Sequence, residues 1–154
     1  MARRRLLPAT EDHVAYIAAN MREPDVAEIW AAARMSPYDA LAFSMRASRE
    51  PMTGLANGRP VCMFGISTAT PLSEVGHPWM LATAEIEDHA RALVAGSRRY
   101  MEMARERYAH LENYVDARNA KAVKWLEWLG FILDPAAPFG IEGLPFHRYH
   151  WELG

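Results

Sequence analysis

Apolar positions in the first third of the chain recur at helical spacing. Val14, Ile17, Ala18 and Met21 fall at i, i+3, i+4 and i+7 behind Thr10, a good helix cap, with Glu11 and Asp12 in the first turn where the helix dipole favours acids. Pro24 breaks this run. The same spacing restarts at Val26, Ile29, Trp30 and Ala33 behind an Asp25-x-x-Glu28 capping-box pattern. Ser36-Pro37 then offers a cap and a first-turn proline to a third stripe of Tyr38, Leu41, Ala42 and Met45.

The period changes after Pro51. Met52–Ala56 and residues 60–67 flank Asn57-Gly58, a dipeptide suited to the positive φ angles of a tight hairpin, so two antiparallel strands are expected. A polar loop runs to Pro78, and residues 79–84 read as a buried third strand. From Ala90 the positions Leu93, Val94, Met101, Ala104 and Tyr108 predict the longest helix, over 90–108. A short strand over 111–115, a helix over 120–129 ending at Gly130, a strand at 131–133, a Pro/Gly-rich loop or wide turn over 135–145 and a final strand over 146–151 complete the series.

Composition narrows the class. The 154 residues are 51% hydrophobic and 23% charged, the balance of one globular α/β domain spanning 1–154, and no repeat or linker divides them. The net charge of −2 argues against a nucleic-acid partner, and Arg3-Arg4-Arg5 reads as a solvated strand flank. No apolar stretch approaches the roughly 20 residues of a membrane span, and the N-terminus lacks a secretory h-region, so a cytoplasmic protein with no membrane partner is expected. The single cysteine, Cys62, lies among Val61, Met63 and Phe64 and reads as core. No metal is expected: His147 and His150, three apart in a strand, point to opposite faces.

The most informative stretch is 119–131, in which Asn119 begins a helix, Ala122 follows three residues later and Leu129-Gly130-Phe131 closes it. It resembles the C-terminal signature of the GCN5-related N-acetyltransferase (GNAT) superfamily. Asn20-Met21-Arg22, Glu28-Ile29, residues 79–83, Ser97-Arg98 and the Trp125-Leu126-x-Trp128-Leu129-Gly130-Phe131 run further resemble the internal virion protein A family of short-tailed phages. The resemblance implies a twisted mixed sheet of about six to seven strands, splayed between its middle strands and flanked by helices. It implies acetyl-CoA as co-substrate and direct transfer to an unknown amine acceptor. It also implies the cytoplasm of an infected bacterial host or the virion as the location.

Two departures from the superfamily pattern bear on chemistry. The glycine-rich turn that usually cradles the cofactor's pyrophosphate falls near Glu87-Asp88-His89-Ala90-Arg91-Ala92, with two acids and no glycine. Arg91, Ser97 and Arg98 are the candidates to compensate, and His89 lies closest to that loop. The tyrosine that commonly protonates the departing thiolate is replaced by Leu126, and the flanking Trp125 and Trp128 cannot act as acids; Tyr100, Tyr108, Tyr114 or water remain. Glu85, after the third strand, and Glu28, in the helical cap, are the candidate bases. Their plainer readings are a solvated strand-end carboxylate and a capping-box partner. Backbone N–H groups near Thr83 to Glu85 are expected to hold the thioester carbonyl, and Asn119 to contact the pantetheine or orient its loop.

Two function classes stand after this reading. One is a phage-encoded acyl-CoA N-acyltransferase. The other is a protein that keeps the fold without the chemistry and acts in virion assembly or by binding a host protein, a reading favoured by the altered phosphate turn and Leu126.

Overall fold

The computed structural model describes residues 3–152, so the outermost two positions at each end of the expected 1–154 domain lie outside the described residues. The chain runs β1 (Arg4–Pro8), α1 (Glu11–Ala19), α2 (Glu23–Ala33), α3 (Pro37–Arg46), β2 (Met52–Ala56), β3 (Arg59–Ser67), β4 (Val75–Ala82), a 3₁₀ turn over Ala84–Asp88, α4 (Ala90–Arg107), β5 (His110–Asp116), α5 (Ala120–Trp128), β6 (Ile132–Leu133), β7 (Ala137–Phe139) and β8 (Leu144–Glu152).

Local chemistry accounts for the expected boundaries. Thr10 accepts the His13 N–H and Ser36 accepts the Asp39 N–H, each capping its helix. Asn57 and Gly58 take positive φ in the β2–β3 turn. Two separate helices form on either side of residues 20–22, as expected, and Pro24 stands in the first turn of the second, where its missing N–H costs nothing. Three expectations need correction. The Asp25-x-x-Glu28 capping box does not form: Arg22 is the cap residue, and both acids point into the protein interior. Trp30 leaves the buried stripe and is exposed, because Ile29 and Ala31 take the inward face of α2. The stretch 135–145 is no plain loop, since β7 pairs with β8 inside it, and the sheet therefore holds eight strands.

The strands form one mixed sheet in the order β1-β2-β3-β4-β5-β8-β6, with β7 also on β8. Helices α1 to α3 pack against the face carrying Met63 and Leu81, joined through Ile17, Ile29 and Leu41. Helices α4 and α5 cover the opposite face through Val94, Met101 and Trp125, against Phe64, Ala82 and Leu111. Strands β4 and β5, the only parallel pair among the described strands, are in register at two positions alone, Val75 with His110 and Gly76 with Leu111. Beyond Gly76 they diverge. The sheet is thus splayed at its middle, as expected, and the splay lies between the two helical layers.

Candidate active site

Strand β4 begins at Val75 rather than Trp79, and the reason identifies its free edge. Thr83 donates its N–H to Val61 at 2.9 Å, which places odd-numbered residues of β4 in the hydrogen-bonded pairs with β3. The backbone groups of Pro78, Met80 and Ala82 therefore face the splay. Pro78 can sit inside a strand because its missing N–H faces that gap. Its carbonyl accepts from Tyr149 Oη at 2.7 Å and from Asn113 Nδ2 at 2.9 Å, bonds that pin β4 to β8 and β5 where the strands begin to part. At the other end Ala82 donates its N–H to Asp25 at 3.0 Å and accepts the Arg22 N–H at 2.9 Å. Met80 lies between these two ties, with its N–H and C=O directed at the slot.

A cleft of about 440 Å³ occupies the slot and opens toward both helical layers. Glu28, Ile29, Phe43, Trp79 and Phe139 line one side; Ser97, Tyr100, Asn119, Trp125 and Leu126 line the other. Its most polar part is a cluster assembled from distant segments. Asp25 and Glu28, one turn apart on α2, share a face. Arg22 Nη1 lies 2.6 Å from Asp25 and 3.2 Å from Asn119 Oδ1, while Asn119 Nδ2 donates to Asp25 at 3.0 Å and to Glu28 at 3.3 Å. Glu28 also accepts the Asp116 N–H at 2.9 Å. Asp116, itself buried, holds the β5–α5 turn by accepting the Arg118 N–H and guanidinium, which fixes Asn119 at the start of α5. Asn119 makes no side-chain cap; its amide is spent on the acid cluster.

Burial, with the neighbouring Asp25 carboxylate adding to it, pushes the Glu28 carboxyl up to about 8, partly offset by the Asp116 N–H and Asn119. Burial likewise raises Asp25, against the pull of Arg22, Asn119 and the Ala82 N–H. Glu28 is thus a carboxyl whose ionisation falls near neutral pH, facing a cleft.

Of the seven residues expected as bases or cofactor contacts, the structure brings Glu28, Ser97 and Asn119 to this cleft and leaves Thr83, Glu85, Arg91 and Arg98 outside its lining. Thr83 is buried with its N–H already bonded to Val61, so it is not available to a thioester. Glu85 is held bidentately by Arg59 at 2.9 and 3.0 Å and approached by His89; the Arg59 hydrogen bonds hold its carboxyl below the usual range. That leaves it a poor base. Arg91 is exposed in the first turn of α4, and Arg98 donates to the Trp128 carbonyl at 3.2 Å, tying α4 to the end of α5. His89 is engaged by Arg4 and Glu85.

The tyrosines separate similarly. Tyr100 lines the cleft, but its hydroxyl donates to the Glu50 carbonyl at 3.3 Å and burial pushes it up to about 12. Tyr108 is core, whereas Tyr114 also lines the cleft, its ring stacked on Phe139 with ring centres 3.9 Å apart. Met80, Tyr149, Asn113 and Arg22 were missed. Strand alternation read with Pro78 in place marks Met80, but the splay that makes this edge free is a tertiary feature.

At the loop expected to hold phosphate, Glu87 pairs with Lys121, and Arg22 Nε lies 3.6 Å from it. The two acids there are therefore not equivalent in effect, since Glu87 is neutralised by cations from α5 and the α1–α2 turn. Arg22 Nε is buried and makes no hydrogen bond. Among the described residues no group of three or more His, Cys, Asp or Glu could hold a metal, and no helix is long and apolar enough to cross a membrane.

No protein-family model and no curated protein matches the chain. Solved structures do. An N-acetyltransferase from Staphylococcus aureus superposes with a TM-score of 0.74 at 13% identity, covering 99% of each chain. A GCN5-related N-acetyltransferase from Kribbella flavida gives 0.72 at 20% identity, over 97% of this chain and 98% of that one. A spermidine N-acetyltransferase from Vibrio cholerae, solved with CoA and spermine, gives 0.68 at 14% identity over 96% and 94%. With its sheet order, central splay and helical layers, the chain has the fold of the GCN5-related N-acetyltransferases.

Proposed function

We propose that the chain, acting as one domain, is an acyl-CoA N-acyltransferase that moves an acetyl group from acetyl-CoA directly to an amine. The observation that carries this is Glu28: a carboxyl raised toward neutral pH, facing a cleft that passes through the splayed sheet from one helical layer to the other.

The residues fit a thioester substrate at its reacting end. The slot between β4 and β5 offers the backbone N–H of Met80 to a carbonyl oxygen, the type of oriented donor that stabilises charge developing there. The amine nitrogen attacks the thioester carbonyl carbon; the C–N bond forms, the C–S bond breaks, and the electron pair leaves on the CoA sulfur. Glu28 takes the proton from the nitrogen, and Asn119 and the Asp116 N–H hold the carboxylate in place. The thiolate takes its proton from water, since Leu126 has none to give, the Tyr100 and Tyr149 hydroxyls are committed to carbonyls, and Tyr114 is stacked on Phe139 at the α2–α3 wall where the amine enters. Holding both reactants in one cleft supplies the proximity that such direct transfer requires.

At the phosphate end, Lys121, the buried Arg22 Nε and the N-terminus of α4 are the cationic groups to which an anion would turn, and Ser97 on α4 lines the cleft itself. Glu87 occupies the first two. That arrangement also favours the second reading, a phage protein of the internal virion type that keeps the fold and binds a virion or host protein without transfer chemistry. Titration with acetyl-CoA separates the two. Saturable binding with amine-dependent release of free thiol supports transfer; no binding at millimolar acetyl-CoA supports the second.

A further inference from the structure

The walls of the cleft on the α2–α3 side restrict which amine could enter. Two of the cleft's lining residues are acids, Asp25 and Glu28, and none is Lys or Arg. Asp25 is already saturated by Arg22, Asn119 and the Ala82 N–H. Glu28 is therefore left as the single carboxylate to meet a ligand. Around it the walls are mostly apolar, with Phe43, Trp79 and Phe139 among aliphatic side chains, and their polar groups, Ser44 and the Tyr114 hydroxyl, are uncharged. Trp79 is fixed by donating to Ser48 Oγ at 2.8 Å; Phe139 stacks on Tyr114 at 3.9 Å and meets Phe146 at 5.1 Å; Phe43, 60% exposed, stands at the mouth.

A charge buried without a partner costs far more than apolar contact returns. An acceptor carrying a carboxylate or phosphate would bring an anion into walls that hold no cation. A polyamine would set its second ammonium against aromatic and aliphatic side chains with no second carboxylate free. A single amine on an uncharged ring meets neither penalty, and its ring gains edge or face contacts with Trp79 and Phe139.

We infer that the acceptor is a primary monoamine with an uncharged aromatic body, its nitrogen at Glu28 and its ring between Trp79, Phe43 and Phe139. This rests on the reading of the cleft as a transfer site, and it sets this pocket apart from one built for spermidine. The amine enters as the free base, gains the acetyl group through a new C–N bond and gives up one proton to Glu28, while CoA leaves as the thiol after protonation by water.

Binding of three probes to the full chain tests it: 2-phenylethylamine, phenylalanine, which adds only a carboxylate to the same body, and spermidine. Calorimetry should show 2-phenylethylamine binding at least about tenfold more tightly than either of the others. Phe43→Lys, at an exposed position that leaves the core intact, should weaken it several-fold, and Phe43→Asp should narrow the gap to spermidine. Equal or tighter binding of phenylalanine or spermidine, or no binding of 2-phenylethylamine at millimolar concentration, overturns the inference. Acetyl-CoA titrated into the same samples reports on transfer separately. Acetyl-CoA binding without the amine preference overturns the acceptor class alone, and the preference without acetyl-CoA binding leaves the ligand class standing while overturning transfer.

Discussion

Asn119 lies 91 residues beyond Glu28 in the chain, yet its amide nitrogen is 3.3 Å from Glu28 Oε1 and 3.0 Å from Asp25 Oδ1. One side chain at the start of α5 thus holds two acids of α2 across the splay. The helical cap and the second half of the sheet meet at this point, and the proposed base is set by it.

Replacing Glu28 should separate chemistry from folding. With its carboxyl at about 8, wild-type kcat/KM should rise with pH to a plateau above that value, because the free carboxylate is the active form. Glu28→Gln should lose about a hundredfold or more in kcat/KM, the usual range for a general base, and lose this limb of the profile. The comparison of wild type and variant with one acceptor cancels the titration of the amine itself.

The same group gives stability a pH dependence of defined sign. Native Glu28 keeps its proton up to about 8, whereas the unfolded chain releases it near the ordinary value of 4.5. Across that window the native state binds more protons, so this contribution is full below the lower value and is lost as pH rises through the upper one. Thermal melting followed across the window should show wild type losing more Tm than Glu28→Gln.

Asn119→Ala removes a donor from both acids. The variant should lose about 1–3 kcal/mol, the usual penalty for stranding buried polar partners. The inflection of its kcat/KM profile should move upward, since Asn119 is among the groups that lower the Glu28 carboxyl. A residue that served packing alone would lower Tm and leave the inflection in place.

Much of the fold was legible because its signals are local. Thr10, Ser36, Asn57-Gly58 and the Leu129-Gly130-Phe131 exit each act within a few residues, and the structure has an element boundary at each. The site was less legible. Asp25 and Glu28 have the spacing of a capping box, and only the approach of β4 and α5 turns them inward. Glu85 follows the strand whose end was expected to face the cleft, but Arg59, 26 residues earlier on β3, claims it. The span 135–145 is rich in the proline and glycine of loops, yet β7 forms there because β8 offers it an edge. Its turn closes on α2: a Cβ at Gly140 would lie 2.7 Å from Ala32 Cα, and the Ile141 and Glu142 N–H groups donate to the Ala32 and Ala31 carbonyls.

Gly76 marks where the splay begins, and its missing side chain is required there. A Cβ would come within 2.5 Å of the branched methyl Cγ2 of Ile66 and 3.0 Å of Leu111 Cδ2. Gly76→Ala should cost about 1–3 kcal/mol through overpacking, read as a fall in Tm. Gly96→Ala, on α4 with open space around its Cβ position, should instead stabilise by about 0.5–1 kcal/mol from helix propensity.

Glu87 competes with any anion for Lys121 and Arg22. Glu87→Gln should therefore tighten acetyl-CoA binding several-fold at low salt, with the gain shrinking as ionic strength rises and screens the exposed pair. Calorimetric titrations at two salt concentrations measure both effects. An unchanged affinity would show that Glu87 lies apart from the phosphate path.

The most direct test of the central claim is release of free thiol from acetyl-CoA in the presence of an aromatic monoamine, with the acetylated amine identified by mass. Amine-dependent thiol release that yields the acetylated amine, and that falls about a hundredfold or more in Glu28→Gln, is the result predicted here. Absence of amine-dependent release at millimolar acetyl-CoA with aromatic monoamine, amino-acid and polyamine acceptors alike, or release that survives Glu28→Gln undiminished, would contradict the assignment of this cleft and of its base.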